Sequence, residues 1–260
     1  MALPRSLRVP ATVAVLLLAL PLVAILLRVP WADLPRLLAS GFVRDALLLS
    51  LVCATSAAAI CVVLGVPLGF LLARSDGRLA GLLRALVTVP LVLPPVVGGI
   101  ALLYAFGRNG VVGGPLYDAT GVALPFTTAG VIVAETFVAL PFLVMSVEGV
   151  VRSADPRFAE VAAALGARPW TVLRRVWLPL ARNGIVAGTV LAWARALGEF
   201  GATITFAGSL QGRTQTLPLA AYAALYGSNQ ADALVVGLVL IVVAVIVLFA
   251  LRGRWRGALS

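Results

Sequence analysis

Six apolar runs constrain this chain more than any other feature: 11–27, 46–72, 86–106, 129–151, 184–206 and 232–251. Each approaches or exceeds the roughly 20 residues with which a helix crosses the hydrocarbon of a bilayer. Inside hydrocarbon every backbone N–H and C=O must be paired within the protein, which leaves helices or closed barrels. Runs of this length without a period of two point to helices. The expected class is therefore an all-α polytopic membrane protein with six transmembrane helices. Of 260 residues, 62% are hydrophobic and 12% charged, a balance that excludes an ordinary soluble domain. Arg5 and Arg8 precede the first run as they would in a signal peptide, but LLRVPWADLP offers no small-x-small cleavage site. The first run reads as an uncleaved anchor.

The charges set the orientation. All twenty basic residues are arginine. Fourteen fall on one alternating set of flanks: Arg5 and Arg8; Arg74, Arg78 and Arg84; Arg152, Arg157, Arg168, Arg174, Arg175 and Arg182; Arg252, Arg254 and Arg256. Five fall on the other set, Arg28, Arg36, Arg44, Arg108 and Arg213, and Arg195 alone lies inside a run. Basic flanks mark the cytoplasmic side, so both termini are expected in the cytoplasm. The net charge of +10 then follows from topology, with the lipid bilayer as the partner and no nucleic acid. Three parts are expected: an anchor helix and connector over 1–43, a membrane core over 44–251 containing a large cytoplasmic loop at 152–183, and a short basic tail at 252–260.

Lysine and histidine are absent. A phosphate-binding loop that ends in Lys-Ser or Lys-Thr therefore cannot be built from this sequence, nor can a histidine-based triad or a His metal site. No catalytic residue, metal or cofactor is expected, and work against a gradient would have to be driven by a partner or by an ion gradient. Cys53 and Cys61 lie eight apart in one run, too far along a helix to bridge, and read as small core residues.

The loop 152–183 has helical grammar. Asp155-Pro156 is an N-cap followed by proline at the first helical position. Phe158, Val161, Ala162 and Leu165 repeat at helical spacing, and Gly166 is a stop. A second short helix from Pro169 carries Trp170, Leu173 and Val176 or Trp177 opposite Arg168, Arg174 and Arg175, and Leu178-Pro179 is expected to turn the chain back to the membrane. An apolar knob in an arginine rim fits a docking surface. An amphipathic hairpin lying on anionic headgroups has the same ingredients.

The run 184–206 carries the charges that hydrocarbon should not hold. Arg195 and Glu199 stand four apart, where they can pair along a helix into a neutral unit, with Thr203 at the next interval. Gly198 and Gly201 flank Glu199 and loosen the helix, so a bend or gate is expected near Gly198. Two readings stand for the pair. It is a structural ion pair, or it lines the route of an oxyanion to which Arg195 offers charge and donors while Glu199 prevents permanent capture. Gly184, Gly188, Ala192 and Ala196 form a small-residue stripe for a helix–helix seam. In 86–106, Pro90, Pro94 and Pro95 predict a kinked, pathway-lining helix. Glu135 is a further carboxylate inside a run, and Glu148 reads as a helix-end pair with Arg152. Beyond 206, Leu217–Tyr226 is too short to span and is expected to be re-entrant or interfacial, with Gln211, Arg213 and Gln215 free to meet a partner.

The loop also resembles a known family. Glu160, with Val161 in place of the usual first alanine, then Ala162, Gly166 six residues after the glutamate, and the closing Leu178-Pro179 match the EAA pattern of bacterial ABC-importer permeases. VPLVLPPVVGG (89–99), GRNGVVGGPLYDATG (107–121) and RALGEFGATITFAG (195–208) are similar to molybdate permeases, and sulfate permeases share a related Gly-Glu-aromatic-Gly segment. The likeness covers roughly 42–251. It implies the type-1 importer permease fold and a loop in which Glu160, Ala162, Gly166, Trp170, Leu178 and Pro179 couple to the ATPase. It also implies a pathway or gate at Pro94, Pro95, Arg195, Gly198, Glu199, Gly201 and Thr203. The implied partners are two ABC ATPase subunits, an extracytoplasmic oxyanion-binding protein and a second copy of the chain. The implied cargo is molybdate, with tungstate and sulfate as alternatives. From another class, a gradient-driven anion carrier stays open on the residues alone.

Overall fold

The computed structural model describes residues 5–227 and 229–255, and every regular element among them is helical. In chain order they are α1 (Arg5–Arg28), α2 (Leu34–Leu38), α3 (Gly41–Ala73), α4 (Arg78–Val92), α5 (Pro95–Phe106), α6 (Gly113–Thr120) and α7 (Thr128–Ser153). Then follow α8 (Arg157–Ala164), α9 (Pro169–Val172), a π-helical turn (Leu173–Trp177), α10 (Leu178–Leu197), α11 (Gly201–Ala207), α12 (Leu217–Tyr226) and α13 (Gln230–Trp255). Of the expected tail, residues 256–260 lie outside the described residues, as do the first four of the chain.

The helix α7 packs most extensively, against α3 and α10, and those two also pack on each other. Small residues decide how close they come. A Cβ added at Gly69 would lie 2.8 Å from Val147 Cβ, and one at Gly65 would lie 3.1 Å from Leu140 Cδ1. On the other side, a Cβ at Gly184 would lie 2.6 Å from Val150 Cγ2 and one at Gly188 2.8 Å from Leu143 Cδ1. Ser146 Oγ also donates to the Gly184 carbonyl at 2.8 Å. The stripe Gly184–Gly188–Ala192–Ala196 is buried along its length, and its seam is made with α7 of the same chain. Where there is no hydrophobic drive between helices, such close approach supplies the packing energy. Cys53 and Cys61 are buried and unbridged, as their spacing required.

Four helices among the described residues are long and apolar enough to cross a membrane: Leu7–Arg28, Gly41–Ala73, Thr128–Ser153 and Gln230–Val247. Two of the expected runs are broken instead of continuous. The run 86–106 is two helices, α4 and α5, meeting at 118°. Leu93 is extended (φ −63°, ψ 134°) before Pro94, and Pro95 opens α5, because a residue before proline is driven out of the α region. The expected kink is a full break. The run 184–206 stops at Leu197 and restarts at Gly201, so Thr203 does not continue the face that carries Arg195 and Glu199.

At the far end of α3, α12 packs against α3 and α13 through Val43, Ala46, Leu217, Ala220, Val235 and Val236. The Leu217 N–H donates to Ser50 Oγ at 2.7 Å. The short apolar segment is thus a helix held against the core, with bounds that match those read from its composition. The segment before it folds against the start of α7 and the residues leading into that helix. Thr128 Oγ1 donates to the Arg213 carbonyl at 2.9 Å, and Phe126, with φ +60°, lays its ring against Gly208. Gln215 is buried and donates to Ser209 Oγ, so it is not free to meet a partner as expected; Gln211 and Arg213 are exposed.

Candidate functional site

The two breaks meet each other. A Cβ added at Gly201, the first residue of α11, would lie 2.6 Å from Pro95 Cβ and 3.2 Å from the Val96 nitrogen. One turn along, a Cβ at Gly99 would lie 2.6 Å from Thr205 Cβ and 2.9 Å from the Ala202 carbonyl oxygen. Carbon atoms in contact normally sit about 3.5–4.0 Å apart, so only glycine permits the short helices α5 and α11 to lie this close. Pro94, Pro95 and Gly201, named separately from the sequence, therefore belong to one junction of two interrupted helices, and Thr203 lies on the same short helix α11. Gly198 plays a smaller conformational part than expected. Its φ is −88°, and the nearest atom to an added Cβ is the Ala194 oxygen at 3.6 Å, so another residue fits there.

At the junction Arg195 Nη1 pairs with Glu199 Oε2 at 2.6 Å. The break gives each partner a second task. Arg195 stands in the last turn of α10, where a cation offsets the negative end of the helix dipole. Glu199 Oε1 accepts from the Ala202 N–H at 2.7 Å, capping the first turn of α11 where an anion is favoured. The Glu199 side chain is 1% exposed and that of Arg195 28%. The pair is thus a brace across the break whose arginine keeps an open edge able to meet an oxyanion. Two other buried polar atoms lie on the helices that meet here, Glu135 Oε2 on α7 and Thr203 Oγ1 on α11. Neither has a hydrogen-bond partner among the described residues.

The opposite feature of interest is the loop 152–183. Asp155 Oδ1 accepts from the Arg157 N–H at 2.9 Å, and α8 follows as the sequence indicated. Its end is a Schellman motif: Ala167 N–H bonds to the Ala162 carbonyl, Gly166 N–H to that of Ala163, and Gly166 has φ +82°. An added Cβ at Gly166 would touch nothing, so glycine is required there by backbone conformation and not by space. Beneath, Ala159, Val172 and Trp177 are buried in the core cluster that also holds Val151 and Ala181. Above, Phe158, Val161, Leu165 and Trp170 are exposed, Leu165 at 83% and Trp170 at 65%. Glu160 is exposed beside them, Ala162 is half-buried, and Arg168, Arg174 and Arg175 surround the knob.

Leu178-Pro179 does not turn the chain. From Pro169 the backbone runs through the π turn directly into α10 and on to Leu197. The Leu178 N–H reaches back five residues to the Leu173 carbonyl. This wider turn relieves the clash a proline makes with the carbonyl four residues earlier, so the helix accommodates Pro179 in the first turn of α10. One uninterrupted rod thus joins the exposed loop to the Arg195–Glu199 brace.

A third constellation was only half legible. Glu148 does pair with Arg152 (3.2 Å), but it also receives Arg84 Nε at 2.6 Å. Arg84 further caps the end of α3, donating from Nη2 to the Leu72 and Ser75 carbonyls. In the sequence Arg84 counted only among the basic flanks. No signal in the sequence marked Arg74, whose guanidinium lies over the Trp177 ring, 4.6 Å from its centroid.

Comparison with known proteins gives this architecture a family. Residues 65–255 match the family model described as binding-protein-dependent transport system inner membrane component. The molybdenum transport system permease protein ModB of Mycobacterium tuberculosis is 52% identical over 253 residues, 97% of this chain and 95% of the relative. ModB of Escherichia coli is 40% identical over 178 residues, covering 68% of this chain and 78% of that one. Among solved structures, a bacterial ABC transporter involved in the import of the acidic polysaccharide alginate superposes with a TM-score of 0.71 at 19% identity, over 96% of this chain and 94% of that one. The MetNI methionine ABC transporter, in an inward-facing conformation, superposes with a TM-score of 0.63 at 22% identity, over 83% and 95%. These structures share the fold. With its helices, its broken spans and its exposed loop, this chain belongs to the family of binding-protein-dependent transport system inner membrane components, as a multi-pass permease subunit of an ABC importer in the cell membrane.

Proposed function

We propose that this permease imports molybdate, passing it by alternating access through a pathway gated at the junction of the two breaks. The observation that carries the mechanism is the unbroken helical rod from Pro169 to Leu197. A displacement of the loop at one end is delivered to the Arg195–Glu199 brace at the other, because a helix transmits axial movement without absorbing it in a turn. In this reading Glu160, Ala162, Gly166, Trp170, Leu178 and Pro179 form the surface that an ABC ATPase moves. The exposed Phe158, Val161, Leu165 and Trp170 supply the apolar anchors such a docking surface needs. Two copies of the chain, each with an ATPase, enclose the pathway. The six runs cross the membrane with both termini in the cytoplasm, the core being 44–251. A binding protein delivers the anion to the face formed by 107–128 and 207–230.

At the gate, Pro94, Pro95 and Gly201 set the closed contact, the exposed Gly198 edges its approach, and the buried Glu199 and Thr203 stand behind it. Arg195 offers the anion a single, already neutralised cation. That suits transport, since a conduit must release what it binds. Molybdate as cargo is supported by the relatives that carry that role in their names over nearly the whole chain. The test is ATP hydrolysis by the reconstituted complex with binding protein loaded with molybdate, tungstate or sulfate. Molybdate-loaded protein should stimulate most. Stimulation by the sulfate-loaded form alone would replace the cargo and keep the mechanism.

A further inference from the structure

We propose that Arg74 is a positioning residue that ties a second helical rod, α4, to the moving loop, so that both broken spans are driven at once. The proposal rests on the importer reading above. Among the described residues, the rod that runs from the loop to the junction without leaving the helix is α10, which ends at the brace. The other rod that reaches the junction is α4, which begins at Arg78 just after the turn 74–77 and ends at Val92, against the Leu93–Pro94 break. If the loop moved α10 alone, the Pro95–Gly201 contact would be sheared from one side.

The turn before α4 is bound tightly to its own neighbours. Arg84 of α4 holds the Leu72 and Ser75 carbonyls at 2.5 and 2.8 Å and Glu148 of α7 at 2.6 Å. Arg152 of α7 reaches Asp76 at 3.5 Å. The end of α3, the turn, α4 and the end of α7 therefore form one block. A pocket of about 350 Å³ opens on the loop between Ala159, Glu160, Pro169 and Trp177, and Arg74 is the one residue of the block on its wall. Beneath it, Ala159, Val172 and Trp177 pack with Phe70 and Ala73 of α3. Arg74 adds a polar tie at the rim: it caps α3, and its guanidinium stacks on Trp177 at 4.6 Å. Trp177 is the last residue of the π turn and is buried against the core. A planar cation over an indole face is the strongest form of this contact. π turns are recurrent at functional sites, and this one lies where the loop becomes the rod.

The experiment uses the full complex of permease, ATPase and binding protein in proteoliposomes, and reads ATP hydrolysed per molybdate imported. Arg74→Ala should leave stimulated hydrolysis largely intact while import falls, raising the ratio by about two- to fivefold, the range that loss of an exposed cation–π contact provides. Arg74→Lys should recover part of the coupling. Arg74→Gln keeps the side-chain stem at the exposed end of α3 and removes only the charge, so it carries the test if the alanine variant assembles poorly. Trp177→Phe should reproduce the uncoupling in weaker form. An unchanged ratio in Arg74→Ala and Arg74→Gln, whether both activities persist or both fall together, would overturn the proposal. Absence of ATP-driven import in the unmodified complex would instead remove the importer reading beneath it.

Discussion

Replacing Gly201 by alanine puts the junction to its hardest test. The added methyl would sit 2.6 Å from Pro95 Cβ and 3.2 Å from the Val96 nitrogen, roughly 1 Å inside the normal contact distance of about 3.5–4.0 Å. Neither neighbour is the free end of a flexible side chain, so α11 and the start of α5 must move apart. Overpacking of this kind costs about 1–3 kcal/mol, which shifts the population of the closed junction by about five- to a hundredfold or more. Gly198→Ala, three residues away, meets nothing closer than 3.6 Å at an unstrained φ of −88°, so its cost should stay within about 1 kcal/mol. Both variants are assayed for molybdate uptake per assembled complex, with the amount in the membrane measured separately. Pro95→Gly, which removes the opposing carbon, should restore part of the activity lost in Gly201→Ala, an interaction visible in the double-mutant cycle. Loss of uptake in Gly198→Ala with normal uptake in Gly201→Ala would refute the account of the junction.

Other consequences are as concrete. Arg195→Ala leaves Glu199 buried without its cation, so assembly should drop sharply, by about 3–5 kcal/mol for an uncompensated buried charge. The double variant Arg195→Ala with Glu199→Gln should recover assembly in detergent melting experiments while leaving uptake impaired; full recovery of uptake would make the pair purely architectural. Gly166→Ala forces a side chain into φ +82°, costing about 1–2 kcal/mol, and should weaken binding of the ATPase subunit in pull-down without lowering the permease's own melting temperature greatly. Ser50→Ala removes the acceptor of the buried Leu217 N–H and should cost about 1–3 kcal/mol, read as a lower melting temperature.

What the sequence made legible was whatever is carried by local chemistry. Asp155, Gly166 and the helical spacing of Phe158, Val161 and Leu165 gave the loop helix, its stop and its exposed face, because caps and periodicity act over a few residues. Pro94, Pro95, Gly198 and Gly201 marked both interruptions for the same reason. The size of each break was not legible. A proline or glycine lowers the cost of leaving the helix, but only the partner decides whether the chain bends or stops, and here the partner of each break is the other break. Pro179 misled in the same way: a proline usually ends a helix, yet a π turn formed by the residues before it absorbs the clash. Arg74 and Arg84 work through residues distant in sequence, Trp177 and Glu148, and no spacing rule reaches across such separations. Gly198 looked more important than Gly201 because it precedes the glutamate, whereas contact with Pro95 singles out Gly201.

Uptake of labelled molybdate into proteoliposomes decides whether a partner's ATP drives this chain through its loop. Vesicles carry the permease with or without its ATPase, with ATP on the loop side, binding protein and molybdate on the other, and ionophores to collapse ion gradients. Uptake should require both ATPase and ATP and persist when the gradients are gone. Uptake by the permease alone, driven by an imposed proton gradient and indifferent to ATP, would contradict it.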